Sequence, residues 1–392
     1  MENNNRIAVW RLVGAQAVSM TASNIVTVSV ALASLTISTD PSLATLPFAL
    51  QMLATMLATV PASMAMQRYG RTPIFVLGAI IGVIGALLAT WALWKANFAL
   101  FCVAGFCMGG ANAVALYYRF AAAEAADEAY RPRAIALVMG GGVISALFGA
   151  EVAKFGRDLL APAFFVGTYI IIAAMQVLNA IAISRIRLPR PPVAKFGAGR
   201  PMAEIARTPG FTVALLSGVI CYSIMVLLMT ATPLAMASCG LAFEDSAFVI
   251  QWHALAMYAP SFVTGRLIQR FGAQNILASG ILLMAGAITA ALSGESVGHF
   301  WVSLVALGLG WNFLFVGGTA LLTVCYRPEE RAKVQAVNDL SIFTVTAIAS
   351  FAAGYLQSHI GWQAVNLSVL PLLGCLALVL VLRWQSLVKA RA

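Results

Sequence analysis

From Ile74 to Leu93 the chain runs without a single charged side chain, a length that carries a helix across the ~30 Å hydrocarbon core of a bilayer. Comparable apolar stretches recur along the whole sequence, and no soluble fold could bury them all. With 61% hydrophobic residues, 10% charged residues and a mean hydropathy of +0.89, the chain cannot clothe a water-facing surface. Apolar length and loop punctuation predict twelve spans, at 10–34, 43–66, 74–93, 98–122, 134–154, 163–183, 210–234, 248–267, 273–291, 299–323, 335–356 and 362–383. The expected class is an all-α polytopic membrane protein.

Placement of charge orients these spans. The formal charge is +10, which in a soluble protein would suggest nucleic acid. Here only Lys95, Lys154 and Arg157 fall near loops on one side, while Arg68, Arg71, Arg185, Arg266, Arg270, Arg327 and Lys333 lie on the other. The positive-inside rule makes the basic side cytoplasmic, together with both termini. The expected location is a bacterial cytoplasmic (inner) membrane, with lipid headgroups as partners in place of nucleic acid. The segment Met1–Arg6 leads into a first span that is expected to be retained, with no small-residue cleavage site.

Several chemistries find no footing. The six cysteines are scattered, without a CxxC pair, so neither a disulfide framework nor a zinc site is expected. There is no GxxxxGK[ST] loop, dinucleotide fingerprint or nucleophilic triad. The sequence therefore predicts no enzyme, no cofactor and no resident metal.

Two halves echo each other. Gln67-Arg68-Tyr69-Gly70 returns as Gln269-Arg270-Phe271-Gly272, Gly110-Ala111-Asn112 as Gly310-Trp311-Asn312, and Tyr130-Arg131-Pro132 as Tyr326-Arg327-Pro328, at offsets of 202, 200 and 196 residues. Three landmarks in one order imply a duplicated six-helix unit. A basic segment containing Pro189, Pro191, Pro192 and Pro201 separates the copies. The expected organisation is an N-terminal bundle over 1–184, a cytoplasmic linker over 185–208 and a C-terminal bundle over 209–392.

On these features the chain resembles the major facilitator superfamily over essentially its full length. The loop after the second span, Ser63 to Arg71, matches the later part of that family's loop motif, with Gln67 at the usual acidic position. Gly265 to Gly272 matches in the second half, with Gln269 in the acidic place. The segments Trp252–Phe262 and Gly310–Thr319 look like those of a widespread, uncharacterised bacterial branch of these permeases. The resemblance implies a twelve-helix fold of two pseudo-symmetric six-helix bundles that tilt against each other, giving alternating access.

Candidate site residues follow from charge and position. Arg68, Arg71 and Arg270, with Glu124, Asp127 and Glu329, stand at one cytoplasmic rim, where ion pairs could close a gate. An unpaired ion in hydrocarbon costs about 2.5–3.5 kcal/mol by insertion scales, so charges within spans need a partner or a task. Arg119 is a candidate contact for the solute or a structural partner for a nearby carboxylate. Glu151 lies on one helix face with Lys154, either as a static pair or as a proton carrier. His253 is the second proton candidate, and Asp339 a third. Asn112 and Asn312, repeat-related, are the expected recognition pair, with Gln16, Asn24 and Trp311 as further solute contacts. Each amide has an alternative role in interhelical hydrogen bonds.

The expected function is proton-coupled secondary transport of a small organic solute by a monomer, by symport or antiport, with efflux slightly favoured. Proton-coupled uptake, passive facilitation, or a membrane receptor or assembly protein without transport are the competing readings.

Overall fold

The computed structural model describes residues 2–126, 134, 137–138, 140–186, 188 and 199–389. Apart from turns and two short 3-10 segments, these residues are α-helical. The chain divides into two compact units, Met1–Val193 and Ala194–Ala392.

In the first unit the helices are α1 (Glu2–Leu35), α2 (Leu46–Tyr69), α3 (Arg71–Trp94), α4 (Phe98–Ala115), α5 (Tyr118–Ala125), α6 (Gly141–Asp158) and α7 (Val166–Ser184). The second unit holds α8 (Met202–Ile205), α9 (Pro209–Ser238), α10 (Phe243–Tyr258), α11 (Ser261–Phe271), α12 (Ala273–Leu292), α13 (Val297–Thr323), α14 (Arg331–Ser368) and α15 (Leu370–Lys389). Gly70 and Gly272, with φ of 92° and 90°, each end one helix and start the next, a left-handed backbone that glycine alone adopts cheaply.

Nine helical stretches among the described residues are long and apolar enough to cross a membrane. The difference from twelve expected spans has local causes. Pro260 follows α10 and opens α11, splitting the expected 248–267 span into helices of 16 and 11 residues. α6 carries Glu151, Lys154, Arg157 and Asp158, which lower its apolarity. The expected spans 335–356 and 362–383 fall in one apolar run of 53 residues, Lys333–Gln385. At 1.5 Å per residue such a run would measure about 80 Å, but Gly361, at φ 79° and ψ 177°, breaks it.

Side-chain polarity is arranged for lipid. α3 exposes Leu77, Ile84, Leu87 and Trp91 while burying Gly78, Gly82, Gly85 and Ala86. Small residues inside let backbones close up, and the large apolar side chains are left for the acyl chains. Gly280 of α12 and Gly310 of α13 face each other in the same way: a Cβ on either would stand 3.0–3.1 Å from the other's carbonyl oxygen. Phe75 and Tyr118 meet edge to face at 4.7 Å in the buried core shared by α3 and α5.

A candidate solute-binding site

In the first unit a pocket of about 30 Å³ opens among α1, α2, α3, α4, α5 and α7. Its polar lining is Ser19, Ser23, Gln51, Asn112, Tyr118 and Gln176, with no Asp, Glu, Lys, Arg or His among the lining residues. A water needs roughly 10–15 Å³ by this kind of measure, so the space suits one or two small polar groups.

Asn179 organises one wall. Its Nδ2 donates to Ser19 Oγ at 3.0 Å, to Gln176 Oε1 at 3.4 Å and to Tyr118 Oη at 3.5 Å. Gln51 is 2% exposed and its Oε1 has no hydrogen-bond partner among the described residues. Asn112 is half-buried and donates weakly to Thr55 Oγ1 at 3.4 Å, while Thr55 itself donates to the carbonyls of Gln51 and Gly109.

Asn312 is placed differently from Asn112. It is fully buried: Oδ1 accepts from Thr264 Oγ1 at 2.6 Å, and Nδ2 donates to the Met257 carbonyl and to Ser261 Oγ, both at 2.7 Å. These bonds pin the break between α10 and α11. Beside it Trp311 stacks on Phe315 at 4.9 Å, with Tyr222 edge-on to both at 5.2 Å and Tyr258 6.2 Å from Trp311. Trp311 is 4% exposed and its Nε1 has no partner.

The other expected solute contacts lie in varied surroundings. Asn24 Nδ2 donates to the Ser145 carbonyl at 2.9 Å, tying α1 to α6 where Gly149 lets the amide approach. Gln16 Oε1 is buried without a partner. The Arg119 guanidinium lies 4.8 Å over the Phe120 ring, and its Nε is buried with no partner.

Among the proton candidates, His253 is fully buried, with Nδ1 2.8 Å from the Leu304 carbonyl and Nε2 without a partner. Because a carbonyl only accepts, Nδ1 carries the hydrogen and Nε2 is the basic nitrogen. Glu151 pairs with Lys154 at 2.9 Å in an exposed position. Asp339 Oδ1 accepts from Asn338 Nδ2 at 3.1 Å.

Of the expected gate residues, Arg71 is buried and grips Glu124 with two bonds, Nε–Oε2 at 3.0 Å and Nη2–Oε1 at 2.6 Å. Arg68 and Arg270 each lie 5.2 Å over the ring of the next residue, Tyr69 or Phe271. Asp127 lies outside the described residues, as does the Tyr130–Pro132 landmark. Glu329 is exposed, whereas its neighbour Glu330 is enclosed. Arg200 donates to Glu330 Oε1 through Nε at 2.9 Å and through its backbone N–H at 2.8 Å, and to Oε2 through Nη2 at 2.8 Å. The Arg327 N–H adds a bond to Oε2 at 2.9 Å. These donors, led by the Arg200 guanidinium, hold the Glu330 carboxyl well below the usual carboxylate range against the opposing pull of burial. Gly199, at φ 81°, lies so close that a Cβ there would strike Glu330 Cγ. Among the described residues no group of side chains could hold a metal ion.

The sequence model of the Major Facilitator Superfamily matches residues 12–260 and 215–391. The chain belongs to that family. It is a multi-pass membrane transporter that moves a small solute by secondary transport, and it is not an enzyme. The superfamily includes a relative 40% identical over 350 residues, 88% of each chain, the riboflavin transporter RfnT of Brucella anthropi. Another, the uncharacterised MFS-type transporter YdeG of Bacillus subtilis, is 30% identical over 91% of this chain and 86% of its own. A solved bacterial homologue of the human lysosomal transporter Spinster, in an inward-facing and occupied conformation, superposes with a TM-score of 0.75 at 15% identity, covering 99% of this chain and 98% of that one. At that identity the likeness speaks for the fold.

Sequence reasoning passed over Gln51, Gln176 and Asn179 in this superfamily member, because single amides inside long apolar runs carry no motif. One signal was available. The 202-residue offset between Gln67 and Gln269 also takes Gln51 to His253 and Ala54 to Ala256. The packing follows it: a Cβ on Gly109 would collide with the Gln51 carbonyl oxygen and stand 2.7 Å from Ala54 Cβ, and one on Gly308 would meet the His253 carbonyl oxygen at 2.6 Å and Ala256 Cβ at 2.9 Å.

Proposed function

We propose that this chain is a proton-coupled transporter of an uncharged flavin, working by alternating access of two six-helix bundles, 1–184 and 209–392, joined by the linker 185–208. The observation that carries the flavin reading is the 40% identity, over 88% of both chains, to a protein named as a riboflavin transporter. The residues suit such a solute. Tyr222, Trp311 and Phe315 offer aromatic faces to a planar heterocycle, and the partnerless indole N–H of Trp311 offers a donor. Within the first unit, Asn112 and the amides around it line a polar pocket of their own.

His253 is the leading proton carrier in this reading. Its Nε2 lone pair, sealed from water and unpaired, would take a proton when that helix face is hydrated and release it on reburial. Glu151, already paired with Lys154, is the second candidate.

The test is riboflavin accumulation in proteoliposomes under an imposed pH gradient. Accumulation that collapses with the gradient is the expected result, and its sign relative to protein orientation gives the direction. Equilibration without accumulation would make the protein a facilitator. Accumulation retained in both H253Q and E151Q would remove the two residues from the coupling path.

A further inference from the structure

We propose that the pocket around Gln51 and Gln176 is a specificity subsite that takes an uncharged imide edge, an N–H flanked by carbonyls. The inference deepens the flavin reading and rests on it.

The chemistry comes from three features. First, Gln176 is 8% exposed and lines the pocket; its Oε1 accepts from Asn179, which leaves the Nε2 hydrogens, close to the pocket-lining Gly82, as what it has to offer a ligand. Gln51, 2% exposed, contributes an oxygen with no hydrogen-bond partner among the described residues. One buried donor and one buried acceptor lining the same space match the C=O and N–H of an imide, since a primary amide pairs with both. Second, the lining holds no Asp, Glu, Lys, Arg or His, and burying a charge there would meet no counter-ion. Third, at about 30 Å³ the space admits an edge of a ring, not a whole ring system. Gly82 keeps that space open on the α3 side: a Cβ there would stand 3.0 Å from Gln176 Cδ.

A site built to pair a polar edge rejects an analogue that lacks it, because its own buried groups are then left unpaired. The probe is therefore riboflavin against N3-methylriboflavin, which replaces the imide N–H by a methyl group. In proteoliposomes bearing the full chain, the methyl analogue is expected to compete with labelled riboflavin at least 10-fold more weakly than riboflavin itself. The gap is expected to shrink below about 2-fold in Q51L and in Q176L, each checked for a monodisperse elution profile and a retained melting temperature. Should either leucine variant fail that check, Q51N and Q176N, which shorten the amide and keep its polarity, are expected to narrow the gap. A wild type that accepts both compounds equally overturns the subsite, as does a gap that persists in the folded variants; the flavin reading survives both. A wild type that neither binds nor carries riboflavin overturns the flavin reading and the subsite with it.

Discussion

Gln51 and His253 hold the same position relative to a glycine on the facing helix: Gly109 lies against the carbonyl oxygen of the one and Gly308 against that of the other. In both places the neighbour is backbone, which cannot swing aside. G109A and G308A are each expected to destabilise the protein by about 1–3 kcal/mol through overpacking. Melting of the purified variants in detergent checks this, and an unchanged melting temperature would mean that the helices can separate at no cost.

The two repeat-related asparagines should respond differently to truncation. N312A removes the amide from Thr264, Ser261 and the Met257 carbonyl; Thr264 still donates to the Pro260 carbonyl and Ser261 is exposed, so the Met257 carbonyl is the buried group left short of a partner, at about 1–3 kcal/mol. Its defect is expected in stability. N112A breaks the long bond to Thr55 and is expected to raise the KM for the transported solute, riboflavin in the proposed reading, with little change in melting. The reverse assignment, a KM effect at Asn312 without a loss of stability, would return Asn312 to the recognition surface.

R71A should lower stability by about 1.5–3 kcal/mol, the range for hydrogen bonds to charged groups, towards its lower end because Glu124 is partly exposed. R71K keeps the charge but cannot reproduce the two-pronged grip on Glu124, so it should fall between wild type and R71A. Equal melting of R71K and wild type would reduce the contact to simple charge.

Acid should leave the Glu330 contact in place longer than an ordinary carboxylate would. Its folded-state pKa is depressed, so its contribution to stability is complete above the unfolded value of about 4.3 and is lost as pH falls through the lower folded value. In a melting series from pH 8 to pH 3, E330Q is expected to lie below wild type at neutral pH and to approach it only at the acidic end. A constant difference across the series would show that the bonds to Arg200 do not depend on the carboxylate charge.

What the sequence revealed divides along physical lines. Membrane character was legible because lipid-facing side chains such as Leu77, Ile84 and Leu87 must be apolar wherever they fall. The repeated phrases that Gly70 and Gly272 close were legible too, and the structure adds that both glycines adopt positive φ. Gln51 was not, because what distinguishes it is a missing partner, and partners across helices have no spacing in sequence. The difference between Glu329 and Glu330 was hidden for a similar reason: two adjacent acids look alike until Gly199 and Arg200, some 130 residues upstream, close on one of them.

That closure has a mechanical consequence. With Arg200 fastened to Glu330 and to the Cys325 carbonyl, and Lys333 Nζ donating to the Arg200 carbonyl, tension arriving along the chain ahead of Gly199 is delivered to the turn joining α13 and α14. The first turn of α9 is thereby shielded from it, and the point where the chain is first fastened to the second unit is set by a glycine and an arginine rather than by where the next long helix begins.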